Sequence, residues 1–577
     1  MKHYLFALLC CFAITSIGAQ ARIHPELEEA WLLNEQVELL IIMEEQPDAS
    51  LAQQLRTKTA KGSFVFQLAR RLAERTQTEV RDYLEVTDIQ HRPYYIVNAF
   101  WGRLTHAQAI QVADMTGVAR LDPNPWIRQD LGWEAAAAAR PRSSVEWGVE
   151  RVGATELWAN GNRGAGAVVG GQDTGYEWYH PAIVNQYRGT QPDTTLHDYN
   201  WHDAIRTFNP MNNGENNPCG LDSPVPCDDN NHGTHTMGTM VGDDGAGNQI
   251  GVAPEASWIG CRNMERGYGS PASYIECFEF FLAPTRVDGS EPDPTKAPHV
   301  IANSWSCPEV EGCLPENFGL MEIAINNLRA SGVVVVTSAG NQGSNCYTVN
   351  RPPSFFAGAF AVGATAINDS IAGFSSRGPS TYDSTLLQPQ IVAPGVGVRS
   401  CVRDTMYRTF QGTSMAGPHV AGAVALLIAE MPELAGQVDL IEQVFRNSAL
   451  PRYSSQDCGP FPGNASPNAV YGHGLINLPA ALIEAQLLLS NRELASADEK
   501  VEVFPNPSSG AVLVRWPQTD FDLTTAELLN LQGQQLSVPQ LFFAEGLNLD
   551  LSALPTGLYL LRMQTSEGVL TKQIILQ

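Results

Sequence analysis

The chain has 577 residues, of which 44% are hydrophobic and 17% are charged, and its formal net charge is −25. At roughly 150 residues per domain, this length predicts about four folded units, and the hydrophobic content excludes wholesale disorder. A negative charge of this size repels phosphate groups, so the composition argues against a nucleic-acid partner. The 50 Gly and 37 Pro residues are typical of a loop-rich exported protein and indicate no activity.

The first 21 residues have the pattern of a secretory signal peptide. Lys2 and His3 precede an apolar run from Tyr4 to Ile17, and Ala19-Gln-Ala21 supplies small residues for cleavage. The alternatives are a membrane anchor, for which the run is short, and a lipoprotein signal, which needs a small residue where Leu9 stands. No later stretch of the sequence is long and apolar enough to span a bilayer. We therefore expect an exported protein without a membrane span.

The cysteine count is consistent with export. Removal of the signal would take two of the 11 cysteines and leave nine in an oxidising compartment. Most of them should form disulfides there, and the odd number leaves at least one unpaired. Two close pairs, Cys219 with Cys227 and Cys307 with Cys313, would each close a short loop. Metal binding is the alternative, but the sequence contains no Cys-x-x-Cys motif.

Residues 22–130 alternate strand and helix patterns. In chain order these are a strand at Val37–Met43, a helix over 60–84, a strand at Tyr94–Trp101, a helix from Thr105 to Met115 and a strand at Val118–Leu121. This order predicts a β-α-β-β-α-β unit with one strand not located. An alanine run ending in Arg140-Pro-Arg142 predicts an accessible linker and processing region over residues 131–146.

The remaining residues predict two further units. Over residues 147–485, buried strands such as Ala167-Val-Val169 and Val333–Val336 alternate with helices. This alternation predicts an α/β fold with a doubly wound parallel sheet, whose ligand site lies at the carboxyl ends of the strands. After a polar linker at residues 486–500, short strands separated by turns predict an all-β sandwich over residues 501–577.

Three segments of the middle unit carry groups that nucleophilic hydrolysis can use. A strand ends on Asp173, His232 lies in Asn231-His-Gly-Thr-His235, and Ser414 lies in Gly412-Thr-Ser-Met-Ala-Gly-Pro-His419 before an apolar helix. Alone, each is ambiguous, because such residues also serve as turn residues, structural or metal-bound histidines, and helix caps. Together they supply a hydroxyl, a base that removes its proton and a carboxylate that orients the base. Their chain order is also that of subtilisin.

These segments resemble the signature blocks of the subtilisin-like (subtilase) serine proteases, and the chain is similar to the bacillopeptidase F-like subgroup. Further matching blocks are Gly251–Pro254, Asn303–Trp305, Thr337–Asn341, Phe374–Pro379, Ala393–Gly395 and Tyr471–Asn477. The resemblance implies a secreted serine endopeptidase that forms an acyl-enzyme and is made as a zymogen. It implies that Ser414 is the nucleophile, His232 the general base and Asp173 the orienting carboxylate. Asn341 would supply the side chain of the oxyanion hole, while His235 and His419 would be structural.

The resemblance also implies the residues that bind substrate. The cleft would be lined by Ser304, Trp305 and Ser306, and the floor of the primary pocket by Thr348 and Asn350. A cis peptide bond is implied between Arg351 and Pro352. The chain departs from the family pattern at Ser306, where Gly is commoner, and at Gly170-Gly-Gln172, where aliphatic residues are usual. These departures bear on pocket shape and on strand packing rather than on the catalytic groups.

No cofactor is implied for the chemistry, and no metal site is predicted. Similar proteases bind structural calcium in loops, and the acidic residues of the 219–229 loop and Asp243-Asp244 suggest such a site. They form no defined coordination pattern, however.

The flanking units take their expected roles from the same family. Residues 22–130 are similar to inhibitory propeptides, which would make this unit the inhibitor of its own protease; an unrelated binding domain is the alternative. Residues 501–577 resemble type IX secretion sorting domains through Val503–Gly510, Asn530–Gly533 and Leu554–Tyr559. That resemblance implies the bacterial secretion machinery as a partner, and release or attachment at the cell surface. A carbohydrate- or protein-binding sandwich is the alternative.

The competing function is a catalytically silent protein on the same fold, which would bind peptides in the cleft or adhere through its C-terminal domain. The presence of all three catalytic residue types and of Asn341 argues against it. An esterase or lipase would need a Gly-x-Ser-x-Gly motif and the order Ser, Asp, His, which the sequence lacks.

Overall fold

The computed structural model describes residues 22–135, 145–212, 217–307, 313, 315–516, 523–543, 546–565 and 568–577. The predicted signal peptide and most of the predicted linker, including Arg140-Pro-Arg142, lie outside the described residues. Contacts divide the chain into two compact units, Met1–Ala481 and Leu482–Gln577.

Residues 22–123, here called the N-terminal subdomain, form a four-stranded antiparallel sheet. Its strands in spatial order are His91–Tyr94, Ala99–Leu104, Val37–Met43 and Val118–Pro123. Its helices are Pro25–Leu33, Lys58–Thr76, Thr78–Val86 and His106–Ala113, with a 3₁₀ turn at Ser50–Gln54. The strand that the sequence pattern did not locate is His91–Tyr94. Two predicted elements are divided in the structure. The helix predicted over 60–84 is interrupted at Gln77, and the strand predicted at Tyr94–Trp101 is interrupted by a turn at Tyr95–Asn98.

The two faces of this sheet have different partners. Leu39, Ile41 and Met43 pack against the subdomain's own helices. Leu40 and Ile42, which alternate with them, belong to a core shared with the helices Pro271–Leu282 and Pro315–Ala330. Since successive side chains of a strand point to opposite faces, the apolar run Val37–Met43 serves both cores at once.

The middle of the chain is built on the predicted α/β sheet, and its fold class is confirmed. The seven strands, all parallel to their neighbours, are in spatial order Ile391–Pro394, Phe360–Thr365, Val334–Ser338, Val300–Asn303, Val168–Asp173, Ser257–Arg262 and Trp201–Asp203. The helices of this part are Trp147–Arg151, Ala154–Ala159, His232–Val241, Pro271–Leu282, Pro315–Ala330, Thr413–Glu430 and Val438–Ser448, with 3₁₀ turns at Pro210–Asn212, Pro294–Lys296 and Pro432–Leu434. Short strands outside the main sheet are Ile127–Arg128, Trp133–Glu134, Met264–Glu265, Tyr268–Gly269, Val398–Val402 and Met406–Gln411.

The glycine pair that departs from the family pattern has a packing reason. A Cβ atom on Gly170 would lie 2.8 Å from the Phe281 ring, and one on Gly171 would lie 2.4 Å from the Tyr176 hydroxyl. The two glycines therefore make room for aromatic rings on opposite faces of the strand Val168–Asp173. Gln172 is paired across the sheet, since its amide donates to Asn303 Oδ1 at 2.5 Å.

Both predicted disulfides are confirmed. Cys219 is bonded to Cys227 and Cys307 to Cys313. Two further bonds, Cys261–Cys277 and Cys346–Cys458, join residues too far apart in sequence to be paired by spacing. Among the described residues, Cys401 is the free cysteine, and it is buried.

The C-terminal unit contains two four-stranded antiparallel sheets, as expected for an all-β sandwich. One has the order Glu502–Phe504, Ala511–Arg515, Gly546–Asp550, Gln540–Phe543, and the other Gln535–Leu536, Leu523–Leu529, Gly557–Thr565, Gly568–Leu576. Residues 486–500, expected to be a linker, are helical and belong to Leu478–Lys500. In the part of the chain that the structure describes, none of the helices has the length and apolar character of a membrane span.

Candidate active site

Asp173 and His232 form the first pair of the site. Asp173 is the last residue of the strand Val168–Asp173, and His232 is the first residue of the helix His232–Val241. His232 Nδ1 lies 2.7 Å from Asp173 Oδ1, and both side chains are buried. Gly233 allows the start of this helix to lie against Gly175, because a Cβ at Gly233 would lie 2.0 Å from the Gly175 carbonyl oxygen. The carboxylate is thus placed to hold the imidazole in one tautomer and orientation.

Ser414 lies in the first turn of the helix Thr413–Glu430, here called the serine helix. Its hydroxyl donates to the Ser304 carbonyl at 3.4 Å, and the Ser304 hydroxyl donates to the Ser414 carbonyl at 3.2 Å. His232 Nε2 is buried and has no hydrogen-bond partner among the described residues. The nucleophile and the free imidazole nitrogen are therefore both present, without a bond between them in this state. Catalytic hydrogen bonds often tighten only when substrate is bound.

Asn341 makes hydrogen bonds both to Thr413, at the start of the serine helix, and to Asp130, in the segment that follows the N-terminal subdomain. Its Oδ1 accepts from the Thr413 amide at 2.9 Å and from the Thr413 hydroxyl at 3.0 Å. These bonds leave Nδ2 to donate to the carbonyl of Asp130 at 3.4 Å. A side-chain donor beside a helix N-terminus is the arrangement of an oxyanion hole.

Residues 124–135, here called the connecting segment, run through this site as an extended peptide. Ile127–Arg128 pairs with Tyr268–Gly269 in antiparallel register. The Gln129 amide donates to the Gly267 carbonyl at 2.8 Å. Beyond Asp130, Trp133–Glu134 pairs with Phe410–Gln411. The segment thus adds a strand to each side of the site, as an extended substrate would.

The sequence did not indicate this path. Residues 131–146 were predicted as an accessible linker, whereas 131–135 bind across the cleft. The segment Ile127–Gln129 contains one apolar residue among polar ones, so periodicity gave no strand signal. Its partner Tyr268–Gly269 is a two-residue strand, which is too short to be recognised from pattern.

The predicted cleft residues lie where the connecting segment passes. The Ser306 amide donates to Gln129 Oε1 at 2.7 Å. Trp305 stacks on Tyr274 with ring centroids 3.9 Å apart, and the Tyr274 hydroxyl accepts from Gln129 Nε2 at 2.6 Å. Ser304 thus contacts Ser414 and Ser306 contacts the connecting segment, whereas Trp305 is linked to that segment through Tyr274.

The two residues predicted for the pocket floor are less directly placed. The Thr348 hydroxyl donates to the Asn345 carbonyl at 2.9 Å and accepts from the Arg377 amide at 2.8 Å, so it joins its own loop to the loop that follows the strand Phe360–Thr365. Asn350 is exposed. The prediction of a cis bond between Arg351 and Pro352 is wrong by one residue, since a cis bond joins Pro352 and Pro353.

The other two histidines of the motifs are buried and uncharged. His235 stacks on Phe410 with centroids 4.5 Å apart, and burial, with a smaller contribution from His232, lowers the pKa of His235 to about 3. His419 Nδ1 lies 2.8 Å from the Met415 carbonyl, and burial lowers the pKa of His419 to about 4. Neither ring carries charge near neutral pH, which supports the structural roles expected of them.

The acidic residues considered for calcium have protein partners. Arg262 is fully buried and lies 2.6 Å from Asp229 and 3.0 Å from Asp203. Asp243 pairs with Arg163 at 2.7 Å, and Asp244 accepts from the Asn248 amide group at 2.5 Å. Among the described residues, no cluster of three or more His, Cys, Asp or Glu side chains could hold a metal ion. The oxygens of these carboxylates are thus bonded to cationic and amide groups of the chain.

Comparison with known proteins identifies the class to which this fold and site belong. Residues 164–474 match the model of the subtilase family. The chain belongs to this family of serine endopeptidases.

Individual relatives agree with the family match. The chain is 36% identical over 450 residues to bacillopeptidase F of Bacillus subtilis (strain 168), an alignment that covers 73% of this chain and 28% of the relative. It is 30% identical over 339 residues to subtilisin Savinase of Lederbergia lenta, covering 59% of this chain and 98% of the relative. It is also 30% identical over 349 residues to an alkaline protease of Alkalihalobacillus alcalophilus, covering 60% of this chain and 72% of the relative. The chain thus spans about a quarter of bacillopeptidase F and nearly all of the smaller subtilisin.

Residues 502–577 match the model of the secretion system C-terminal sorting domain. This match confirms the predicted sorting domain and indicates a bacterial protein that is secreted or held at the cell surface. The sorting-domain match implies secretion machinery as a partner, and the subtilase match implies peptide substrates.

Proposed function

We propose that the chain is a secreted serine endopeptidase that cleaves peptide bonds through an acyl-enzyme, with Asp173, His232 and Ser414 as its catalytic triad. The observation that carries the proposal is the position of the Asp130 carbonyl, which accepts from Asn341 Nδ2 at 3.4 Å. An extended peptide thus presents its carbonyl to a hydrogen-bond donor that is itself bonded to the start of the serine helix.

The proposed reaction begins when the Ser414 hydroxyl leaves the Ser304 carbonyl and donates to His232 Nε2. The hydroxyl oxygen attacks the carbonyl carbon while the imidazole takes the proton. Asp173, 2.7 Å from Nδ1, stabilises the imidazolium that forms. His232 then returns the proton to the leaving amine, and water hydrolyses the acyl-enzyme by the same route. The chain supplies the nucleophile, the base and the orienting carboxylate, while the peptide and water are the reactants.

The negative charge on the carbonyl oxygen is stabilised in two ways. Asn341 Nδ2 donates to it, and the backbone amides at the N-terminus of the serine helix add a favourable field. The bonds from Asn341 Oδ1 to Thr413 fix the orientation of the amide group before the reaction starts. This preorganisation favours the transition state, because no donor has to be reoriented as charge develops.

The proposal predicts labelling of Ser414 by a fluorophosphonate probe, which reacts with activated serines. The purified, processed protein should take up one probe, and peptide mapping should locate it on Ser414. The control is Ser304→Ala, which removes a neighbouring hydroxyl and should still be labelled. Absence of labelling in folded, processed protein would support the competing function of a catalytically silent peptide-binding protein.

We also infer that the N-terminal subdomain inhibits the protease until it is cut away. Its Tyr95 and Ile96 amides donate to Glu279 Oε2 at 2.6 and 3.0 Å, and Arg92 pairs with Glu276 at 3.1 Å. Both glutamates belong to the helix Pro271–Leu282 and are buried. The shared core and these polar contacts hold the connecting segment in the cleft, which excludes other peptides.

Cleavage of this segment should occur between Asp130 and Leu131, because the Asp130 carbonyl is the one bonded to Asn341. We expect the processed protease to begin at Leu131, as measured by N-terminal sequencing immediately after activation. Later trimming toward residue 145 would be seen as a second species that accumulates with time. An earliest product beginning after Arg142, with none beginning at Leu131, would contradict this assignment.

A further inference from the structure

The connecting segment continues past Asp130 onto a surface strand that the proposed reaction does not use. Trp133–Glu134 pairs in antiparallel register with Phe410–Gln411, the end of the strand Met406–Gln411. The Ala135 amide donates to the Thr409 carbonyl at 2.8 Å. Main-chain bonds therefore hold the chain on the leaving-group side of the site as far as residue 135. Such strand addition provides affinity through the backbone and selectivity through side chains.

Gly132 turns the segment onto this strand. Its φ of 78° lies in the left-handed region that favours glycine. A Cβ at this position would also lie 2.5 Å from the Gln411 carbonyl oxygen. A peptide that follows the same path must have glycine at the second residue after the cleaved bond.

The side chains of Phe374 and Arg408 contact the next two residues of the connecting segment, Trp133 and Glu134. The Trp133 ring packs edge-to-face on Phe374, with centroids 5.0 Å apart and planes at 74°. Glu134 Oε2 accepts from Arg408 Nη1 at 2.9 Å. The Arg408 and Glu134 side chains are 40% and 57% exposed, so their attraction is modest and is screened by salt.

We infer that Phe374 and Arg408 are specificity-determining residues for the leaving side of the substrate. They select an aromatic residue at the third position and an acidic residue at the fourth position after the cleaved bond, following glycine at the second. This inference rests on the proposed function. It narrows the preferred substrates from peptides in general to peptides with the sequence x-Gly-aromatic-acidic after the cleaved bond.

The test compares three quenched fluorogenic peptides on the processed protease. The reference copies residues 127–135, Ile-Arg-Gln-Asp-Leu-Gly-Trp-Glu-Ala; the second carries Glu134→Lys and the third Trp133→Ala. At low ionic strength we expect kcat/KM to fall about threefold to tenfold for the lysine peptide, because an attractive pair becomes repulsive. We expect a fall of about threefold for the alanine peptide, because one aromatic pair is lost. High salt should reduce the first effect and leave the second.

Enzyme variants identify the residues responsible. Arg408→Glu should reverse the preference between the glutamate and lysine peptides, and Phe374→Ala should remove the preference for tryptophan. Arg403→Glu, which makes the same charge change at a neighbouring position of the chain, is the control and should keep the wild-type order. Equal kcat/KM for all three peptides, or a preference that Arg408→Glu does not alter, overturns the inference while hydrolysis itself stands. Loss of fluorophosphonate labelling together with absence of any cleavage instead rejects the proposed function.

Discussion

Ser414→Ala should lower kcat by about 10⁶, the loss established for subtilisin, and should leave the precursor uncut. The Ser414 hydroxyl makes one long hydrogen bond, to the Ser304 carbonyl at 3.4 Å, so its removal costs little folding free energy. The loss is therefore chemical. It is measured with a fluorogenic peptide and by the intact mass of the secreted chain, which should retain residues 22–130.

His232→Ala is the matched variant for this prediction. Because the three triad groups act as a unit, the double variant Ser414→Ala/His232→Ala should be no slower than either single one. Thermal unfolding should show that all three variants are folded. A Ser414→Ala variant that still cuts itself at Asp130, in the absence of any added protease, would contradict the triad assignment.

Asn341→Ala should lower kcat by about 10²–10³ with little change in KM, because it removes a donor that acts mainly on the charged transition state. The side chain has two functions that one variant does not separate. Its Oδ1 holds the Thr413 amide at 2.9 Å, and its Nδ2 donates to the Asp130 carbonyl at 3.4 Å.

Asn341→Asp separates the two functions. It keeps an oxygen that can accept from Thr413 but removes the donor and places a negative charge next to the carbonyl oxygen. We expect Asn341→Asp to be at least as slow as Asn341→Ala, while its melting temperature stays near that of the wild type. Recovery of activity in Asn341→Asp would mean that Asn341 only supports the start of the serine helix. Asn345→Ala, an exposed position on the same loop, is the control and should keep full activity.

The catalytic groups could be predicted because each lies in a short motif with its own local geometry. Asp173 ends an apolar strand, and Ser414 lies in the first turn of an apolar helix, so the sequence pattern located both at element ends. The role of Asn341 was also expected from its motif. Its contact with Asp130, 211 residues away in sequence, was not, because no local pattern encodes such a pair.

Other features could not be predicted from the sequence, for related reasons. The disulfides of short loops followed from spacing, but Cys346–Cys458 closes a loop of 112 residues, which spacing does not indicate. The aromatic rings behind Gly170-Gly171 explain why aliphatic residues are absent there, yet those rings come from other parts of the chain. The strand His91–Tyr94 was not located because only one of its residues, Tyr94, is buried.

By itself, the sequence determined the class of the fold, the family, the sorting domain and the residues proposed to carry out the chemistry. These depend on apolar periodicity and on motifs, which are properties of neighbouring residues. Only the tertiary structure decided that residues 124–135 occupy the cleft, that the Asp130 carbonyl faces Asn341, and that Glu134 meets Arg408, 274 residues later in the chain. The physical reason is that edge strands pair through backbone hydrogen bonds, which every residue except proline can make in the same way. Side-chain patterns therefore do not specify such a partner, and the starting composition, including the charge of −25, does not bear on it.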